Sequence, residues 1–171
     1  MRFKVGQIVL FNNPKTLFGR LITKYNMDMY GSSYTTHVGI ITAVYDNSIA
    51  IFESLIDGFN SHVYTKDDIE ERIKLGEILI RETKKPLNMV LENCYKYEGI
   101  KYGILDIFMI AFYWATRIKI SLTRKNSLIC SEAVVRVLYD SSNKKVDFVK
   151  EFEKPYDLIT PMDLYISKQL I

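Results

Sequence analysis

Apolar positions along this chain alternate between strand-like and helix-like spacing. "GQIVLFNN" reads as a strand from Gln7 to Phe11, closed by an Asn12-Asn13-Pro14 turn. Leu17 to Tyr25 carries helical spacing with Leu17, Leu21 and Ile22 on one side, and "NMDMYGSSYTT" after it reads as polar loop. The clearest β signal follows: "HVGIITAVY", a turn at Asp46-Asn47-Ser48, then "IAIFESL", which together predict a hairpin. With a three-residue turn, Tyr45 faces Ile49, Ile41 faces Glu53 and Gly39 faces Leu55. Alternation then sets His37, Ile41 and Glu53 on one face of the sheet. His37 and Glu53 are two same-face steps apart in that register, a gap that twist or a bulge has to shorten. Residues 62–65 and 77–82 predict further strands, with a charged helix from Asp67 to Lys74 between them.

The second half is mostly helical in pattern. Pro86 suits a helix start, Leu87, Val90, Leu91, Cys94 and Tyr97 mark a buried face, and Gly99 stops it. Ile104 to Ile118 is apolar nearly all round. Its uninterrupted run, Ile107 to Ala115, falls well short of the roughly 20 residues that cross a bilayer. A buried core helix is the first expectation there. An apolar wall that accepts an acyl tail or rests in a membrane interface is the functional alternative. "SLICSEAVVRVLY" predicts an amphipathic helix with Ala133, Val134, Val137 and Leu138 inward and Cys130 in its first turn. Lys144 to Pro155 reads as charged loop, and "LITPMDLYIS" closes the chain. No repeat, low-complexity tract or linker divides the sequence, so residues 1–171 are expected to form one α+β domain.

Composition narrows the function. The 171 residues are 48% hydrophobic and 25% charged, enough for a core of ordinary size. A net charge of +3, without a basic stripe interleaved with aromatics, argues against a nucleic-acid partner. Two cysteines do not build a disulfide framework, and the opening residues lack the pattern of a signal peptide, so a reducing, cytoplasmic compartment is expected. No cysteine–histidine pair has the close spacing of a zinc site, and no metal or organic cofactor is implied.

The chemistry-bearing candidate is Cys130. In the first turn of a helix the backbone N–H groups are unpaired and the dipole favours an anion, so a thiol there ionises more readily. Cys94, at mid-helix apolar spacing, is expected to be a packing residue. A thiolate mechanism needs a base, and only His37 and His62 are available. His37, at a strand entrance after a Gly-Ser-Ser loop, has the rim position of a catalytic ring. Glu53 interrupts an apolar strand and is the candidate to orient it. Glu132 is expected to serve its own helix terminus.

The ordered segments "VGQIVLF", "YTTHVGII", "FES", "YEGIKYGILDI", "CSEAVVRVLY" and "LITPMDL" resemble the circularly permuted branch of the NlpC-type papain-like cysteine peptidases and amidases, the YiiX-like group. More distantly they resemble the lecithin retinol acyltransferase type. The resemblance covers most of the chain and is weakest from about Asn60 to Pro86. It implies a papain-like fold, an antiparallel sheet or small barrel packed on helices, with Cys130 as nucleophile, His37 as base and Glu53 as orienting residue. Such proteins often carry Asp where this chain has Gln7. The expected activity is amide or peptide hydrolysis through an acyl-enzyme, on a peptide, acylated amino acid or lipid-like substrate. The alternatives are a lipid-directed acyltransferase or thioesterase, and a non-catalytic binding module of the same fold. Peripheral membrane contact fits the second of these, and oligomeric state has no sequence signal.

Overall fold

The computed structural model describes residues 2–12, 17–103 and 127–171, with residues 112–113, 115–116 and 118 between them; of residues 17 and 18 it describes the backbone. Its centre is an antiparallel sheet of β1 (Ile8–Phe11), β2 (His37–Val44), β3 (Ser48–Leu55), β4 (Gly58–Thr65) and β5 (Ile78–Arg81), in the order β4-β3-β2-β1-β5. Six helices accompany it among the described residues: α1 (Leu17–Tyr30), α2 (Lys66–Lys74), α3 (Val90–Tyr95), α4 (Cys130–Ser141), α5 (Phe148–Phe152) and α6 (Pro161–Ile166). A short parallel ribbon, β6 (Lys101–Tyr102) with β7 (Ser127–Leu128), leads into α4. The chain is α+β, with an open five-stranded sheet and helices.

The central strands are buried on both faces, which is why they read as nearly continuous apolar runs rather than strict alternation. On one face Ile8, Leu10, Val38, Ile40 and Phe52 join Val134, Val137 and Leu138 of α4 and Cys94 of α3 in the larger core. On the other, Val9, Phe11, Ile41, Ile49 and Ile51 pack with Ile69 of α2. Each such fully buried aliphatic side chain is worth roughly 1.5–3 kcal/mol over exposure. The sheet is therefore clamped from both sides and its strand ends are rigid supports.

Several sequence expectations are corrected. The hairpin turn is tighter than three residues: Val44 faces Ile49, and Tyr45 N–H bonds Ser48 O at 2.9 Å. A bulge between Ile41 and Ala43 then shifts the register again, so Gly39, rather than Ile41, faces Glu53. Helix α1 runs through Asn26–Tyr30, which the polar pattern assigns to loop. Asn26 is buried and its Nδ2 donates to Thr35 O at 2.8 Å, a tertiary bond that polarity alone does not reveal. Its exposed side carries Leu21, while Gly19, Tyr25 and Asn26 face inward.

Pro86 does not start a helix. Asn88 N–H docks on Ser141 O at 2.8 Å, Met89 adopts a left-handed conformation, and α3 spans only Val90–Tyr95. The Lys144–Pro155 segment is not simply loop, because it contains α5 with Phe148 fully buried. The predicted Ile104–Ile118 helix, with its Ile107–Ala115 apolar run, lies almost wholly outside the described residues. Among those described, no helix is long and apolar enough to cross a membrane.

Candidate active site

His37 opens β2, and the backbone there is fixed before the side chain is considered. Its Cα pairs with Phe11 at the end of β1. Thr36 N–H and Thr35 Oγ1–H both donate to Phe11 O, at 2.8 and 3.1 Å, and Thr35 Oγ1–H also reaches His37 O at 3.0 Å. The ring lies 5.4 Å, centroid to centroid, from that of Phe11. The side chain is 19% exposed and lines a cleft.

Glu53 sits diagonally across the hairpin, opposite Gly39. A side chain at Gly39 would come within 2.6 Å of Ile51 Cγ2 and 3.2 Å of Glu53 Cβ, so only glycine permits this close approach. The Nε2–H of His37 donates to Glu53 Oε2 at 2.7 Å, and the Tyr64 hydroxyl donates to Oε1 at 2.5 Å. Burial works against the ionised carboxylate, yet the hydrogen bond and charge of His37, with Tyr64 and His62 adding to them, hold its pKa below the usual range. Both carboxylate oxygens are engaged, and the imidazole is fixed with Nε2 protonated. Nδ1 is the nitrogen left over.

Cys130 begins α4. Ile129 before it is extended, and no side chain caps the helix there, so the first-turn N–H groups keep their donor capacity. Two anchors set the position of this turn: Ser54 Oγ–H, next to Glu53, donates to Leu128 O at 3.2 Å, and Ser131 Oγ–H donates to Ile159 O at 2.6 Å. Cys130 is an electrostatic neighbour of the His37 imidazole. Burial opposes a charged imidazole, but Cys130 and then Glu53 outweigh it and push the His37 pKa up to about 10. Cys130 itself is only 4% exposed. The cleft beside it, about 650 Å³, is lined by its neighbours His37 and Tyr102.

The structure thus brings Cys130, His37 and Glu53 together. The other candidates fall elsewhere. Cys94 is fully buried in the apolar core, and burial pushes its thiol up to about 12. His62 lies on β4 with Nε2 3.9 Å from Asp57 Oδ2. Glu132 is buried and held by Arg136, whose Nε and terminal nitrogen donate to it at 3.1 and 2.8 Å. Gln7, at the variant position, accepts Lys4 N–H through Oε1 and donates to Glu82 from Nε2, both at 2.8 Å.

Two residues join the site that the sequence does not single out. Tyr64 follows from the Asp57-Gly58 pair, a hairpin signal that sets β4 against β3 and puts Tyr64 on the face of Glu53. Tyr102 comes from the β6–β7 ribbon, two residues long and without a periodic signature. It is held because Gly58 allows Ile100 O close to the start of β4, where a side chain would meet that oxygen at 2.8 Å. Burial first, and then the charge of Cys130, raise the Tyr102 phenol, so its hydroxyl stays protonated.

Among the described residues no group of three or more His, Cys, Asp or Glu side chains is arranged to hold a metal ion. No protein-family model matches this chain, and a search of curated proteins finds no match either.

Proposed function

We propose that this protein is a cysteine hydrolase of the permuted papain-like type that cleaves an amide bond through an acyl-enzyme on Cys130. One observation carries the reading: a single imidazole is hydrogen-bonded to a buried carboxylate at 2.7 Å and has a cysteine in the first turn of a helix as its electrostatic neighbour. Glu53 is a positioning residue, fixing the tautomer that turns Nδ1 toward the sulfur. The raised pKa of His37 favours an imidazolium paired with thiolate.

In this mechanism the thiolate attacks the carbonyl carbon, a C–S bond forms, and the π electrons move onto oxygen. The Cys130 N–H and the Tyr102 hydroxyl are the donors available to that oxyanion. Collapse breaks the C–N bond, and the leaving amine takes the proton from His37. The neutral imidazole then deprotonates water, whose oxygen attacks the thioester; the C–S bond breaks, the acid leaves, and the thiolate–imidazolium pair is restored. No metal or organic cofactor takes part. Both cysteines are free, and a reducing cytoplasmic setting would keep the nucleophile in that state.

A lipid-directed acyltransferase or thioesterase is the second reading. It is favoured by the cleft's apolar rim, where Leu55 and Ile22 adjoin Ile56, 93% exposed. A non-catalytic module of the same fold is the third reading, and a sulfur kept away from the imidazole would favour it.

Intact-mass measurement after incubation with peptide-amide or acyl-lipid mixtures tests the proposal. An acyl adduct on wild-type protein that is absent from Cys130→Ala is the expected result. The donor that leaves the adduct separates the two catalytic readings. Acylation persisting in Cys130→Ala, or absent with every donor, would contradict both.

A further inference from the structure

The charged side chains of the cleft differ in how far they are already engaged, and that difference bears on what it accepts. Four charged side chains other than His37 line it: Glu53, Asp57, Arg72 and Lys101. Glu53 is committed through both oxygens to His37 and Tyr64. Asp57 has His62 3.9 Å away. The cations also keep donor capacity unspent. Arg72 makes one stretched contact, Nε to Glu77 Oε2 at 3.4 Å, and among the described residues its terminal nitrogens have no hydrogen bond. Lys101 is exposed and has no ion pair among the described residues.

Arg72 is also held in place. Its guanidinium carbon lies 5.5 Å from the centroid of the Phe11 ring, and that ring is 5.4 Å from the imidazole of His37. The flat cation is therefore supported by an aromatic neighbour of the base itself, with only 25% of the side chain exposed. Lys101 stands directly before Tyr102 on β6 and also lines the cleft. A guanidinium with its terminal N–H fork unspent matches a carboxylate in two parallel hydrogen bonds, and partial burial strengthens them. A neutral ligand would leave that fork without an acceptor.

We propose that the cleft selects an acidic amide substrate, one bearing a carboxylate near the bond attacked, with Arg72 as its principal recognition residue and Lys101 as a supporting charge. The inference rests on Cys130 and His37 forming the reactive pair, and names the substrate class for that site. Arg72 and Lys101 determine specificity here; neither is assigned a role in bond breaking.

Iodoacetate and iodoacetamide provide the test, because they alkylate a thiolate by the same displacement of iodide and differ in one negative charge. The observable is the ratio of their rates at Cys130, followed by peptide mass mapping. His37 contributes equally to that ratio in every variant, so differences between variants report the cleft cations. Arg72→Gln and Lys101→Gln should each lower the iodoacetate preference about three-fold, Arg72→Lys should restore part of it, and added salt should compress all the ratios. Lys101 is exposed, so its variant remains informative if Arg72→Gln does not fold. Matched peptide amides with Glu or Gln beside the cleaved bond should differ about ten-fold in kcat/KM, and Arg72→Gln should narrow that gap. Unchanged ratios in both glutamine variants, with Cys130 still fast toward iodoacetamide, would overturn the acidic-substrate inference and leave the catalytic reading standing. Slow alkylation of Cys130 by both reagents would remove the catalytic reading and this inference with it.

Discussion

The two cysteines of this chain differ little in exposure, 4% for Cys130 and 0% for Cys94, and both belong to the same apolar core. What separates them is the backbone beneath each sulfur and the partners around it. Cys94 lies in the last turn of the short helix α3, and burial is the one influence on its thiol, raising it to about 12. Cys130 opens α4 with no side chain capping the helix, and it faces His37 and Tyr102. Burial alone makes a cysteine inert. Burial next to an imidazole that a carboxylate already orients is, in the proposed function, what makes a reactive pair.

The largest effect should come from alkylation at mildly acidic pH, where an ordinary thiol reacts slowly. Iodoacetamide should modify Cys130 at least about a hundred-fold faster than Cys94, and His37→Ala should remove most of that difference. Equal, slow modification of both cysteines would erase the contrast. Glu53→Gln sharpens it: the amide keeps a hydrogen bond to Nε2 but loses the charge, and Cys130 alkylation should slow about ten-fold. Because the carboxylate pKa is depressed in the fold, Glu53 contributes stability that is present above about pH 4.5 and lost as pH falls through its folded value. Glu53→Gln should therefore flatten the acid limb of a denaturation-against-pH series. The smallest effect belongs to Cys94→Ala. Thermal or urea unfolding should show a loss of about 1 kcal/mol from the vacated core volume, while Cys130 keeps its alkylation rate.

How much of this was legible in the sequence follows from the range of each interaction. Cys130 at a helix entrance and His37 at a strand entrance are local facts, visible as changes in apolar spacing. The antiparallel hairpin was visible too, because its two strands are joined by a few residues. Its register was not, since it depends on a tight turn and a bulge between Ile41 and Ala43. Those two features bring Glu53 opposite Gly39, within reach of His37, where a plain three-residue turn leaves it one step too far. Tyr64 and Arg72 depend on the next layer of pairing, β3 with β4 and α2 over Phe11. Tyr102 depends on a two-residue parallel ribbon that pairs Lys101 with Ser127 and Tyr102 with Leu128, far apart in the chain. The helical end of α1 was hidden for a related reason: Asn26 and Tyr30 look like loop residues until their partners Thr35 and Asp163 are known.

The charge state of His37 is the most direct measure of the whole account. In the fold its pKa is raised to about 10 from 6.5. Protonated His37 therefore contributes stability that is fully present below about pH 6.5 and lost as pH rises through about 10. Histidine ring NMR across that range, on wild type and on Cys130→Ala, reads this without any substrate. The account predicts an imidazolium that persists to about pH 10 in the wild type and titrates at distinctly lower pH once the sulfur is gone. A His37 ring that loses its proton near 6.5 in both proteins would contradict it.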